Sequence, residues 1–243
     1  MALPPAFERV LTPEDRAENS TLQSFERVTG QLETVSADAD RIDTILDVGC
    51  GTGGLAAALG EHLGATTVYG VDVDATARER AAKRGVEPLD VDVEAEPLPL
   101  EDGSVDLAVS FGLLEHLRYY DTHLAELRRV LGNDGWCWVA TPNLGGWTNR
   151  LSLLTGHQPR NVEVSSERAV GTLSVYPPDE FLDHVHAPTY GALLEVLELH
   201  GLEPVDAVGL RPYQRSTLVR VLDTLLGWRT SWARRVAVLA RPR

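Results

Sequence analysis

Ile45-Leu46-Asp47-Val48-Gly49-Cys50-Gly51-Thr52-Gly53-Gly54 runs directly into Leu55-Ala56-Ala57-Ala58-Leu59. The order is an apolar strand ending on an acid, a glycine-rich turn, and a helix. Glycines in the turn remove the Cβ atoms that would block close approach of a ligand, and they tolerate positive φ. The helix that follows directs free N–H groups and its positive dipole end into the same crevice. A nucleotide-like ligand is the natural occupant.

Outward from this turn, strands and helices alternate. Strands are expected at 44–48, 67–72, 86–91, 105–110 and 136–140, with helices over 54–63, from Ala75, and over 121–131. Short, nearly continuous apolar strands between helices indicate a parallel sheet covered on both faces. Further on, a helix at 189–200, a strand near 205–208, a helix at 214–227 and a last strand at 236–240 complete the pattern. Upstream, Thr12-Pro13-Glu14-Asp15 reads as a helix start. Leu22, Phe25, Val28, Leu32 and Val35 then recur at helical spacing. Residues 1–43 are therefore expected to be helical, packed on the sheet or closing over the ligand as a lid.

Residues 142–188 break the rhythm with Pro159, Gly171, Pro177, Pro178 and Pro188 around one short helical candidate, Trp147–Leu154. This insertion leaves the fifth strand at its carboxyl end, where open α/β sheets bind ligands. Trp147, Asn149 and Arg150 are candidates to recognise a substrate there, Arg150 being suited to a carboxylate or phosphate. For Trp147 a packing anchor is at least as good a reading.

Composition narrows the choice. The chain has 243 residues, 43% of them hydrophobic, enough for one large core. No run approaches the ~20 apolar residues that span a bilayer, and the first residues do not read as a signal peptide. Cys50 and Cys137 are far apart, and both are expected reduced, in the cytoplasm, as small buried residues. The net charge of −14 argues against nucleic acid as a partner. Lys83 is the sole lysine; excess acid with so little lysine suits a high-salt cytoplasm, where screening makes self-repulsion tolerable. An ordinary acidic protein from a GC-rich genome is the plainer alternative.

The charge is uneven. Residues 201–243 hold eight arginines against Glu203, Asp206 and Asp223, a net of +5, while the other 200 residues carry 14 basic and 33 acidic side chains. In the helix expected there, Leu218, Leu222, Leu225 and Leu226 share a face. A core-covering helix with solvated arginines is the commoner outcome, and peripheral membrane contact the minor one.

The glycines alone are ambiguous. Gly49, Gly51 and Gly54 satisfy the dinucleotide pattern G-x-G-x-x-G, with Asp72 where a ribose-binding acid belongs. An NAD-dependent oxidoreductase or epimerase is one reading, and a non-catalytic cofactor-binding protein another. Asp47 weighs against NAD, since a carboxylate beside a pyrophosphate repels it but attracts an ammonium group.

Four blocks in order resemble the class I S-adenosylmethionine-dependent methyltransferases: Leu46–Gly53; Gly70-Val71-Asp72-Val73-Asp74; Asp92-Val93-Glu94 with Leu98–Asp106; and Leu113-Leu114-Glu115-His116-Leu117 with Leu127–Leu131 and Gly135. Leu100 and Val105 stand where that family often has Phe. The resemblance implies a Rossmann-like α/β domain over 44–243, its seven-stranded sheet mostly parallel with an antiparallel last strand and helices on both faces. It implies an enzyme moving a methyl group from S-adenosylmethionine to a small-molecule acceptor, lipid- or sugar-linked acceptors being among the candidates. By the same resemblance Asp47 holds the methionine amino group. Gly49, Gly51 and Gly53 approach the amino-acid end, and Asp72 with Val73 takes the ribose. Asp92 and Val93 take the adenine, and Phe111 lines the methionine side. His116, after the fourth strand, borders the acceptor and is the candidate base, with local packing weighed equally.

Asp183-His184-Val185-His186 has metal-like His-x-His spacing, but no further ligand pattern accompanies it. His184 is assigned to acceptor contact or loop structure, and no metal is expected.

Overall fold

The computed structural model describes residues 3–18, 22–38, 40, 42–173, 182–211 and 216–243. Seven strands form one sheet: β1 (Thr44–Val48), β2 (Thr67–Val71), β3 (Glu87–Leu89), β4 (Val105–Phe111), β5 (Leu131–Pro142), β6 (Leu202–Leu210) and β7 (Arg235–Pro242). Their order across the sheet is β3-β2-β1-β4-β5-β7-β6. The first five strands are parallel, and β7 runs antiparallel between β5 and β6. This is the expected Rossmann-like sheet with its antiparallel last strand.

Alternation along the buried strands separates two cores. On one face Ile45, Leu107, Val109 and Trp138 meet Leu55 and Leu59 of α4 (Gly54–Leu63). The N-terminal helices α1 (Pro5–Val10) and α3 (Thr29–Ser36) join the same core through Phe7, Leu32 and Val35; α2 (Pro13–Glu18) lies between them in sequence. Gln31 fastens α3 to the sheet, accepting from Trp138 Nε1 at 2.7 Å and donating to Ala237 O at 3.3 Å. On the other face Leu46, Ala108 and Val139 meet Leu124 and Leu127 of α6 (Asp121–Val130). Leu193 and Leu197 of α8 (Tyr190–Leu199) complete that core. The helix α5 (Ala75–Ala82) precedes β3.

The later strands are longer than expected. β5 begins as soon as α6 ends, and β6 extends over nine residues. β6 absorbs Pro204 because it is an edge strand with a register shift between Pro204 and Asp206, where a missing N–H costs little. Among its described residues the insertion holds one helix, α7 (Trp147–Leu154), and then irregular chain; residues 174–181 lie outside the described set, as do residues 214 and 215 of the expected 214–227 helix. α9 (Thr217–Leu226) then leads back to β7. Among the described residues no helix is long and apolar enough to cross a membrane. The carboxyl ends of β1, β2, β4 and β5 and the start of β7 share one end of the sheet, where Arg235 pairs with Pro142.

Candidate functional site

At the end of β1 the chain turns under three glycines with φ of 79° at Gly49, 52° at Gly51 and 74° at Gly53. The N–H groups of Gly49 and Cys50 donate to Val71 O at 2.8 and 2.9 Å, which stitches the turn to the end of β2. The glycines differ in what surrounds them. A Cβ on Gly53 would stand 2.8 Å from Ala81 Cβ, whereas one on Gly51 would meet no atom within 4 Å. Gly53 is there for packing; Gly51 borders open space.

Asp72 sits at the junction. Its Oδ2 accepts the Gly51 N–H at 2.8 Å and its Oδ1 accepts that of Asp74 at 2.9 Å. Asp74 in turn caps α5 through Thr76 N. One carboxylate thus orients the glycine turn and the next helix while keeping lone pairs for a ligand. The side chain of Val73 beside it is largely exposed.

Asp47 is 2% exposed and has no hydrogen-bond partner among the described residues. Burial, and secondarily the charge of Asp72, raise its pKa to about 7. A buried carboxylate without a partner is costly. A ligand ammonium would restore the missing partner, so the residues present fit an amino-acid-bearing cofactor.

Asp92 is exposed and its Oδ1 caps its own turn, accepting Glu94 N at 3.0 Å. Val93 is buried and belongs to the core on the α6 face. Phe111 is buried, its ring edge-on to that of Trp138 with centroids 5.1 Å apart.

Beyond β4 the chain builds a second polar cluster. Glu115, in the 3-10 turn Leu114–His116, is buried, and its Oε1 accepts from Arg235 Nη1 and Nη2 at 3.2 and 3.1 Å. Its Oε2 accepts from Thr141 Oγ1 at 3.1 Å, and its backbone O from Val185 N at 2.9 Å. These bonds draw β4, β5, β7 and the 183–186 segment together. His184 packs edge-on to His116, ring centroids 5.1 Å apart, with its Nε2 4.0 Å from Glu115 Oε1. Glu115, His116 and His184 each offer a ligand atom within 4.8 Å of the others, but the cation on Glu115 is the Arg235 guanidinium. Burial lowers the pKa of His184 to about 4, which keeps its ring neutral. His116 is exposed, its Nδ1 2.8 Å from Asp183 O. A carbonyl only accepts, so Nδ1 carries the proton and Nε2 keeps a lone pair.

His186 goes elsewhere, stacking on Tyr120 with its Nε2 2.9 Å from Arg118 O. The His-x-His spacing therefore does not converge. Sequence reasoning quoted Glu115 without giving it a role and passed over Arg235. An acid beside a candidate base, and an arginine opening a strand of apolar residues, were the available signals.

The insertion residues are mostly structural. Trp147 is buried and donates to Asp223 Oδ1 at 2.7 Å, and Asp223 is also paired with Arg234 at 2.7 Å. Asn149, buried too, donates to Asn161 Oδ1 and to Asn143 O. The exposed Arg150 lies over the Trp232 ring and donates to Gly145 O. Trp147 thus serves as an anchor of the insertion through its one polar group, whereas Asn149 spends only its amide N–H groups there and keeps a buried Oδ1 without a partner among the described residues.

The N-terminal segment reaches the glycine turn. Asp15 Oδ1 accepts from Thr52 Oγ1 at 2.9 Å, and its Oδ2 pairs with Arg84 Nη1 at 3.0 Å. Burial pushes the Asp15 carboxyl up, but hydrogen bonds from Arg84, Thr12 and Thr52 outweigh it and hold the pKa below the usual value.

Residues 46–139 match the family described as a methyltransferase domain. The malonyl-[acyl-carrier protein] O-methyltransferase of Geobacter sulfurreducens is 36% identical over 134 residues, 54% of this chain and 49% of that protein. The 2-phytyl-1,4-naphtoquinone methyltransferase of Trichormus variabilis is 32% identical over 162 residues, 64% of this chain and 65% of that one. The chain thus spans between about half and two thirds of these relatives' length. Among solved structures, an S-adenosylmethionine-dependent methyltransferase from Aquifex aeolicus has a TM-score of 0.55 at 18% identity and full coverage of both chains. A geranyl diphosphate C-methyltransferase from Streptomyces coelicolor, solved with S-adenosyl-L-homocysteine, has a TM-score of 0.55 at 17% identity, covering 86% of this chain and 77% of that one. At these identities the structures speak for the fold.

Proposed function

We propose that the protein, whose residues 46–139 match a methyltransferase-domain family, is an S-adenosylmethionine-dependent enzyme that transfers the cofactor's methyl group to a small molecule carrying an apolar tail. The observation that carries the cofactor half is Asp47, buried and without a partner beside Asp72. Asp47 receives the cofactor's ammonium, the open space at Gly51 its amino-acid end, and Asp72 its ribose hydroxyls. Asp92 is assigned to the adenine amino group, with Val93 against the ring and Val73 beside the ribose. Bound there, the cofactor supplies an electrophilic methyl on a sulfonium sulfur.

The chain's own contribution is mainly positioning, which carries much of the rate of an in-line displacement. His116 Nε2 takes the proton from a hydroxyl or carboxyl acceptor, and Asp183 O holds the ring in the competent tautomer. Glu115 and Arg235, bonded to one another, are positioning residues that hold this wall together. The N-terminal segment acts as a cover on the cofactor, tied to Thr52 through Asp15. An apolar tail on the acceptor is suggested by the relative named for a phytylated naphthoquinone. The free cysteines agree with a cytoplasmic setting.

Calorimetry with S-adenosylhomocysteine, with NAD as control, tests the cofactor. Micromolar S-adenosylhomocysteine binding without NAD binding is expected, and the reverse would overturn the assignment in favour of an oxidoreductase. Labelled S-adenosylmethionine offered with lipid and polar extracts of the source cells tests the reaction and reports the acceptor class.

A further inference from the structure

We propose that α9 docks the protein on an anionic membrane surface. α9 is apolar over two adjoining arcs. One arc packs inward: Val219 is buried, and Leu222 and Leu226 are half-buried. The other has no cover among the described residues. Leu218 is 67% exposed, Val221 49% and Leu225 62%, and Trp228 just past the helix is 69% exposed. At spacings of three, four and three these four lie on one helical face. The sequence reading put Leu218, Leu222, Leu225 and Leu226 together on one covering face; the fold instead turns Leu222 and Leu226 inward and leaves Leu218 and Leu225 out.

Charge selects the occupant. The single acid of α9, Asp223, is buried and paired with Arg234, so the outer surface of the helix presents none. Arg220 and Arg229 flank the apolar face exposed, with no ion-pair partner among the described residues, and Arg229 lies 5.4 Å from the centroid of the Trp228 ring. An indole beside an arginine at the end of an apolar stripe suits the headgroup boundary, where the ring is half-immersed and the guanidinium meets phosphate. Residues 1–200, with 33 acids against 14 bases, are repelled by such a surface. Repulsion of the body and attraction of one face orient the molecule as well as bind it.

The placement suits the reaction. Trp228 precedes β7, whose first residue, Arg235, contacts Glu115 at the site end of the sheet. α7, bonded to α9 through Trp147 and Asp223, adds exposed Leu151 and Leu154. A lipid-tailed acceptor held in the bilayer would thus present its head beside the site. For this purpose, though not for docking itself, the proposal rests on the methyl-transfer reading.

The test is flotation of the full chain with phosphatidylcholine vesicles, with and without about one third phosphatidylglycerol. Acyl-brominated lipid is included in a parallel set to quench Trp228. Binding at least about tenfold tighter to the anionic vesicles is expected, with fluorescence quenching that Trp228→Phe removes. Leu218→Asp with Leu225→Asp should abolish binding. Arg220→Glu with Arg229→Glu should do the same, and serves alone if the first pair fails to fold. S-adenosylhomocysteine affinity should be unchanged in all variants. Absence of flotation, binding indifferent to both pairs, or a dimer by light scattering that the same substitutions dissolve would overturn the proposal. Loss of S-adenosylhomocysteine binding by the unaltered chain would instead count against the cofactor assignment.

Discussion

Asp72 Oδ2 accepts the backbone N–H of Gly51 at 2.8 Å, although 21 residues separate them. The carboxylate assigned to the ribose is therefore also the one that sets the glycine turn. Asp72→Ala should weaken S-adenosylhomocysteine binding by about a hundredfold or more, as expected for losing charge-assisted bonds. Asp72→Asn should fall between, because its amide oxygen still accepts. Calorimetry of the two variants checks the order, and an unchanged affinity for the alanine variant would remove the ribose assignment.

Asp47 should make both stability and binding pH-dependent, in opposite directions. With its pKa raised to about 7 from an ordinary 3.8, the folded protein holds a proton that the unfolded chain has released. Stability from this group is full below the lower value and declines as pH rises toward 7. A cofactor ammonium requires the ionised form, so affinity should fall about tenfold per pH unit below 7, with proton release on binding. Asp47→Asn should raise the melting temperature of the ligand-free protein at pH 8, flatten the affinity profile and weaken binding. Calorimetry in buffers of different ionisation enthalpy measures the proton.

Gly51 and Gly53 should separate ligand space from packing. Gly53→Ala places a Cβ against Ala81 at positive φ and should cost about 3 kcal/mol in urea unfolding. Gly51→Ala meets no atom within 4 Å, so only backbone strain remains, about 1 kcal/mol. Its Cβ enters the space assigned to the cofactor, so its S-adenosylhomocysteine affinity should fall far more than its stability.

Arg235→Met leaves Glu115 buried without its cation, and should destabilise by about 3 kcal/mol. Replacing both residues with apolar ones should recover part of that loss, which a double-mutant cycle in urea would reveal.

Trp147→Phe removes one hydrogen bond from Asp223, which keeps Arg234. It should cost about 1 kcal/mol and leave the acceptor KM unchanged. A large rise in KM would return Trp147 to the acceptor pocket.

The sheet was legible because its strands are short apolar runs punctuated by helices, a pattern set by local chemistry. The glycine turn was legible for the same reason: Asp47, Gly49, Gly51, Gly53 and Asp72 lie where backbone geometry alone leads. The acceptor side was not. Glu115 acquires its meaning from Arg235, 120 residues away, and no spacing rule links them. Trp147 and Asn149 looked like recognition residues because polar and aromatic groups at a strand end so often are. Their partners Asp223, Asn143 and Asn161, all distant or on irregular chain, show that both also anchor the insertion, which no local pattern announces. His184 and His186 share a segment, yet one turns to Glu115 and the other to Tyr120. The outward turn of Leu218 and Leu225 was equally hidden, since a wide apolar arc does not announce which half the core will take.

The insertion of β7 between β5 and β6 fixes an order of assembly. β6 is synthesised before β7 yet cannot take its place until β7 has paired with β5. During translation β5, with its apolar run Trp136–Ala140, therefore presents an open edge through the making of the next ninety or so residues, while the glycine turn and its neighbours can already form. That interval is when the nascent chain is most exposed to wrong pairing and most dependent on a chaperone. Substitutions in β7 should thus reduce the yield of soluble protein in cells well before they reduce the affinity of what does fold.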